Sequence, residues 1–162
     1  MRANGRAQPA SREALLVVKV LLQRVSAARV EIAGELVGAI EVGLLALVGV
    51  EQGDSLEQAR WLADKTLGLR IFPDDNKPMN INVLDVGGGV LAVSQFTLAA
   101  ETSRGNRPGF SSAAAPDVAE PLFDAYVARL RTRCDLVETG RFGADMQVSL
   151  TNDGPVTFLL SR

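Results

Sequence analysis

The sequence has no histidine, one cysteine, one tryptophan and one tyrosine among its 162 residues. Without histidine, neither a Ser-His-Asp triad nor a Cys-His pair can be assembled, and a His-containing zinc site is excluded. Cys134 stands alone, so no intrachain disulfide forms. A solitary thiol suits a reducing compartment, and a cytoplasmic protein is expected. Aromatic residues are too few for a platform on which long single-stranded RNA could stack. Lys and Arg number 17 against 19 Asp and Glu, a net charge of −2. That argues against a protein coating nucleic acid through a broad basic face, and DNA is not an expected partner. The apolar run over 43–50 is far short of a membrane span, so no membrane association is expected. The commonest hydrolytic machinery is gone, and any chemistry must use something else.

Apolar residues make up 47% and charged residues 22%, enough for a proper core in a chain of single-domain length. Residues 1–17 stand apart. Arg2, Arg6 and Arg12 precede the apolar stretch 14–22, but Lys19 interrupts it and strand-like sequence runs straight through. A disordered leader or a misassigned start accounts for this segment better than a signal peptide. A valine at position 18 is what a GTG initiator looks like when read internally. The natural chain is expected to begin there, with 18–162 forming one domain.

Short β-branched or leucine-rich runs at 18–25, 29–32, 36–40 and 44–50 predict strands, with Gly34-Glu35 at a hairpin tip. The period then changes. Asp54-Ser55, with Glu57 and Gln58 placed for a capping box, opens a predicted helix over 55–69 carrying Leu56, Ala59, Leu62, Ala63, Thr66 and Leu67 at helical spacing. Residues 69–72 extend again until Pro73-Asp74-Asp75-Asn76 turns the chain. Gly87-Gly88-Gly89, read as a hairpin turn, leads into a continuous apolar strand over 90–96. A polar loop over 101–112 precedes a second helix over 117–132, with Val118, Leu122, Ala125, Tyr126 and Leu130 on its buried stripe. Strands follow at 136–139, 146–151 and 156–160. The fold class is α+β, a strand-rich curved sheet or partial barrel with two packed helices.

Taken singly, the motifs are mostly structural. The glycine triplet enters a strand, not a helix, and no Lys-Ser/Thr follows, which argues against a nucleotide loop. Asp74-Asp75-Asn76 lacks the spacing of a calcium loop and reads as a solvated turn. Cys134 has no base and is incidental. Arg104 and Arg107, beside Gly105, have the fork geometry to hold phosphate oxygens, against a plain solvated loop. Ser94-Gln95-Phe96-Thr97-Leu98 ends a strand where it opens into a loop, a common place for chemistry. Thr97 as a nucleophile would need an activating base, and no histidine supplies one. Asn152-Asp153-Gly154-Pro155-Val156-Thr157 reads as a hairpin turn, or as a cis Gly-Pro bond aiming two carbonyls the same way.

Together the segments are specific. Gln23-Arg24-Val25-Ser26, Gly43-Leu44-Leu45, Leu69-Arg70-Ile71-Phe72, Met79-Asn80, Ser94-Gln95-Phe96-Thr97-Leu98, Asn106-Arg107-Pro108, Thr139-Gly140-Arg141-Phe142-Gly143-Ala144 and the Asn152 to Thr157 motif occur in this order. From position 18 to the C-terminus the chain resembles the bacterial D-aminoacyl-tRNA deacylases, the D-tyrosyl-tRNA deacylase family. The resemblance implies a homodimer that hydrolyses the ester between a D-amino acid and the 3′-terminal adenosine of tRNA. It also implies action on glycine mischarged on the alanine tRNA, and rejection of L-amino acids. Ser94, Gln95, Phe96 and Thr97 would line the pocket, with the backbone N–H groups of Phe96 and Thr97 as oxyanion donors and the ribose 2′-hydroxyl assisting. Gly154 and Pro155, joined by a cis bond, would reach into the partner subunit's pocket as the chiral filter, held by Arg24. Phe142, Gly143, Ala144 and Met146 would meet the adenosine, and Arg104 and Arg107 the acceptor end. Lys19 and Arg141 are expected to add to the local positive field. No metal and no cofactor is implied. Ala99, Gly109 and Asn82 depart from the family pattern. Two rival readings are a Thr97-dependent esterase and a non-catalytic module binding the tRNA end.

Overall fold

A computed structural model describes residues 18–162; the expectations about a leader and a start at position 18 fall on residues 1–17, outside the described residues. The chain runs β1 (Lys19–Ile32), β2 (Glu35–Ile40), β3 (Gly43–Gly49), α1 (Leu56–Gly68), β4 (Gly89–Ser94), α2 (Pro116–Arg131), β5 (Val137–Thr139) and β6 (Gln147–Ser161). A 3₁₀ turn covers Phe96–Ala99. The six strands form one sheet ordered β2-β1-β3-β4-β5, with β6 along the other side of β1. Pairing is antiparallel among β1, β2, β3 and β6, and parallel from β3 to β4 and from β4 to β5. This is the α+β architecture expected, nearly closed on itself.

Closure depends on small residues. A Cβ at Gly38 of β2 would lie 2.9 Å from the Thr139 carbonyl oxygen of β5, so the sheet can curl until its ends meet. The period-2 alternation of β3 and β4 then divides two cores. Leu44, Ala46, Val90 and Ala92 face the helices, packing with Leu62, Leu67, Tyr126 and Leu130. Leu45, Leu91 and Val93 point inside the curl, with Val25, Val30 and Ile40. In β1 the buried parity changes: Val20 and Leu22 serve the first core, while Val25, Ala28 and Val30 serve the second. Val25 lies on the second face by simple alternation from Leu22, and between Val25 and Ala27 β1 then advances two residues while β6 advances from Asn152 to Thr151. One extra residue, Ser26, thus shifts the parity, so that Ala28 and Val30 stay on the same face as Val25.

Helix α1 begins as its sequence dictates, with Ser55 as N-cap and Gln58 completing the capping box. Between the helices, Thr66 Oγ1 lies 2.8 Å from the buried Tyr126 hydroxyl, so both polar groups are satisfied. Burial pushes the Tyr126 phenol up. At the start of α1 lies a less settled carboxylate. Asp54 accepts from the Glu51 N–H at 2.6 Å, but among the described residues its buried Oδ1 has no hydrogen-bond partner. Desolvation, chiefly, raises its pKa from 3.8 to about 6.

Several expectations are corrected. The runs at 18–25 and 29–32 are one strand, and the hairpin tip is Ala33-Gly34, both with positive φ. The glycine triplet does not turn a hairpin, since β3 and β4 are parallel and α1 crosses between them. A Cβ at Gly43 would collide with the Gly89 carbonyl, so glycine there serves close strand approach. Residues 69–72 form no strand and contribute one bridge, Phe72 to Ile81. Strand β4 stops at Ser94, because the chain tightens into the 3₁₀ turn. Val118 is exposed, and Ala119, Phe123 and Val127 join Leu122, Tyr126 and Leu130 on the buried face. Most consequentially, 146–151 and 156–160 are not two strands with a hairpin between them. They belong to one strand, β6, paired along its length with β1.

Candidate active site

Ser94 closes β4, and the chain turns at Gln95 because Phe96–Ala99 winds into the 3₁₀ turn. Gln95 N–H is spent on the Val48 carbonyl, and Leu98 N–H on the Gln95 carbonyl. Among the described residues the N–H groups of Phe96 and Thr97 have no backbone acceptor, as in the first turn of a helix. Opposite this strand end lies the stretch from Phe142 to Met146, leading into β6. The two segments enclose a cavity of about 590 Å³. Ser94, Gln95 and Phe96 line one side, and Phe142, Gly143, Ala144 and Met146 the other. Two groups singled out from opposite ends of the sequence thus share one cavity.

Thr97 is not among the lining residues. Its side chain is exposed, and its hydroxyl meets the Gln95 amide, Nε2 to Oγ1 at 2.5 Å. A carboxamide is no base for a hydroxyl proton, so among the described residues nothing bonded to Thr97 activates it as a nucleophile. The structure adds lining residues that the sequence reading missed: Val50, Val93, Ala114, Pro116, Ala119, Asp145 and Val148. Asp145 is the one ionisable side chain among those lining residues. Flanking motif residues were its signal, as it sits between Ala144 and Met146.

Arg24, Gly154 and Pro155 form a second cluster, and none of them lines the cavity. The β1–β6 ladder steps from Gln23–Thr157 to Val25–Asn152, so four residues of β6 bulge out opposite Arg24 alone. The Gly154–Pro155 bond is cis, and both residues are exposed. The bulge is braced from below. Asn152 Nδ2 donates to the carbonyls of Arg24 and Val156, both at 2.9 Å, and Asn152 Oδ1 accepts from Val156 N–H at 3.2 Å. Arg24 donates from Nε to the Asp153 carbonyl at 2.9 Å and from Nη1 to the Ile71 carbonyl at 2.7 Å. Its side chain is only 11% exposed. The residue supplying the second carbonyl lies next to Arg70, which itself grips Asn80 through the backbone oxygen and Oδ1. Asp74 receives the Asn80 amide and the N–H groups of Lys77 and Asn76, which in that order hold its carboxyl below the usual range.

Arg104 and Arg107 lie in an exposed loop closed by reciprocal backbone bonds between Glu101 and Gly109, at 2.8 and 2.9 Å. Neither lines the cavity. Of the expected positive field, Lys19 is committed elsewhere, its Nζ lying 2.6 Å from Glu51. Arg141 is exposed. Cys134 is buried, and burial pushes its thiol up, away from reactivity.

The family model described as D-Tyr-tRNA(Tyr) deacylase matches residues 21–161, which span both clusters. The chain belongs to the D-aminoacyl-tRNA deacylase family. A D-aminoacyl-tRNA deacylase of Teredinibacter turnerae is 57% identical over 88% of this chain and 99% of its own length. One of Erwinia tasmaniensis is 59% identical over 86% of this chain and 97% of its own. Among solved structures, "c-Myc DNA Unwinding Element Binding Protein" is 37% identical with a TM-score of 0.83, over 88% of this chain and 97% of that one. A probable eukaryotic D-amino acid tRNA deacylase shares the fold, with a TM-score of 0.78 at 16% identity over 90% of this chain and 100% of that one. In this deacylase family member, among the described residues, no helix is long and apolar enough to cross a membrane.

Proposed function

We infer that the protein edits aminoacylated tRNA in the cytoplasm, hydrolysing the ester that joins a D-amino acid to the 3′-terminal adenosine. The observation carrying this reading is the shared cavity: the end of β4 and the turn before β6 face each other across a space sized for a small ligand. Family membership supplies the substrate class. Ser94, Gln95 and Phe96 receive the ester, while Phe142, Gly143, Ala144 and Met146 receive the adenosine. Water adds to the ester carbonyl, and the N–H groups of Phe96 and Thr97 stabilise the oxyanion. The acyl–oxygen bond then breaks, a proton returns to the 3′-oxygen, and free D-amino acid and tRNA leave. The ribose 2′-hydroxyl assists the water, so the protein supplies position and hydrogen-bond donors with no side-chain base.

Selection against L-amino acids falls to the carbonyls of Gly154 and Pro155, acting in the cavity of a second copy of the chain. Two observations support a homodimer. The bulge is exposed and lies outside its own cavity. Strand β6 pairs only with β1 among the described residues, leaving a 15-residue strand with one open edge and an exposed Leu159. Such an edge invites another chain. A carbonyl pair placed where an L side chain must go imposes a steric and desolvation penalty, tenfold in rate for each ~1.4 kcal/mol. Glycine has no side chain to reject, so glycyl-tRNA mischarged on the alanine tRNA is also a substrate. Arg104 and Arg107 hold phosphates of the acceptor end.

The test is hydrolysis of D-tyrosyl-tRNA against the same substrate ending in 2′-deoxyadenosine. The expected result is turnover of the first and near-complete loss with the second. Equal rates would refute the 2′-hydroxyl mechanism, and no turnover of either would refute the deacylase reading.

A further inference from the structure

Phe96 and Phe110 touch at the mouth of the cavity. Their ring centroids are 5.1 Å apart and the planes tilt by 56°. Both rings are open to solvent, 57% and 41% exposed respectively. Phe96 lines the cavity, whereas Phe110 does not. Phe110 follows the loop that carries Arg104 and Arg107, and its position is fixed. Its carbonyl accepts from Ala113 N–H at 3.1 Å, and Ser112 Oγ donates to the Ala99 carbonyl at 2.7 Å, tying the loop end to the 3₁₀ turn. Scattered exposed apolar residues need no explanation, but two rings in contact at a cavity rim, at the end of a loop bearing two arginines, form a surface of definite chemistry.

We propose that the Phe96–Phe110 pair is a stacking site for the nucleobase preceding the terminal adenosine of the acceptor end. The inference rests on the cavity holding the aminoacyl-adenosine. With that group inside, the next nucleotide leaves through the mouth, where Phe96 stands. Every base offers a π-face, so aromatic stacking serves whichever base arrives, and positive side chains alongside accommodate the phosphates. Charge decides between occupants. A nucleotide can use the rings together with the arginines of the loop that leads into Phe110, whereas an apolar protein surface gains nothing from those cations. Phe110 contributes its ring face alone and takes no part in the chemical step.

The experiment measures kcat/KM on two D-tyrosyl substrates, an acceptor-stem minihelix ending in CCA and isolated D-tyrosyl-adenosine. It compares wild-type protein with Phe110→Ala, Phe110→Leu and Phe110→Trp. The alanine and leucine variants should lose roughly tenfold on the minihelix, in line with one lost base–aromatic stack. They should turn over D-tyrosyl-adenosine as wild type does, which also reports that they are folded. The tryptophan variant should restore minihelix activity. Equal losses on both substrates, rescue by leucine, or unchanged minihelix activity in the alanine variant would each overturn the proposal. If wild type hydrolyses neither substrate, the deacylase reading falls and takes the stacking site with it.

Discussion

Arg24 Nε donates to the Asp153 carbonyl across the widest break in the β1–β6 ladder, where one residue of β1 faces four of β6. The same guanidinium reaches the Ile71 carbonyl through Nη1. A planar fork therefore joins the bulge carrying Gly154 and Pro155 to the segment braced by Arg70, Asp74 and Asn80. Two carbonyls in fixed directions call for the rigid spacing of guanidinium nitrogens, which one ammonium cannot reproduce.

Arg24→Lys should therefore fold yet lose between about tenfold and a hundredfold in kcat/KM on D-tyrosyl-tRNA, the scale at which small misplacements act. Steady-state kinetics beside circular dichroism decides it. A folded Arg24→Lys protein with wild-type kinetics would show that the fork does not set the filter.

The proposed catalysis, which uses no side-chain base, makes a second expectation. Among the described residues the Thr97 hydroxyl meets only a carboxamide, and Asp145 is exposed on the cavity lining. Thr97→Val and Asp145→Asn should each keep kcat on D-tyrosyl-tRNA within about tenfold of wild type, less than the ~10²–10⁴-fold a general base contributes. A larger fall in either variant assigns that side chain to the chemistry.

Binding of the acceptor end should depend on salt through Arg104 and Arg107. Each released counterion contributes roughly 0.7–0.9 to the slope of log affinity against log salt. Filter binding of tRNA between low and physiological salt should give Arg104→Ala and Arg107→Ala slopes shallower by about that amount each. Unchanged slopes would place the phosphates elsewhere.

Asp54 gives a pH dependence of known sign. Its folded pKa, about 6, lies above the ordinary aspartate value of 3.8, because burial penalises the charged form. The folded state holds the proton more tightly, so the stability this group allows is fully present below about pH 4 and is lost as pH rises through 6. Asp54→Asn keeps an oxygen for the Glu51 N–H and cannot ionise. Its melting temperature should exceed that of wild type by about 2–4 °C at pH 7.5, near 1 kcal/mol for this chain length. The gap should close at pH 4.5. A gap independent of pH would detach the effect from ionisation.

Legibility in the sequence followed the range of the interactions. Helix α1 was readable because its signals are local: Ser55 and Gln58 cap it within one turn, and its apolar spacing matches the buried stripe. The cavity was readable in part, as motif residues from 94–96 and 142–146 do meet. Asn152 to Thr157 misled because Asn, Asp, Gly and Pro together carry every local mark of a hairpin. What overrides them is the pairing of both flanks with β1, about 130 residues away in sequence, as between Gln23 and Thr157. Ser26 and the shift of parity it imposes on β1 carry no local mark at all. Val118 was misplaced because Phe123 and Val127 widen the buried face of α2 around to the other side.

The central claim is chirally selective ester hydrolysis, and the most direct measurement compares the rates of D-tyrosyl-tRNA and L-tyrosyl-tRNA deacylation by the wild-type protein. Rapid loss of the D ester with the L ester intact is the predicted result. Equal hydrolysis of the two would contradict the Gly154–Pro155 filter, and stability of both in the presence of folded protein would contradict the deacylase itself.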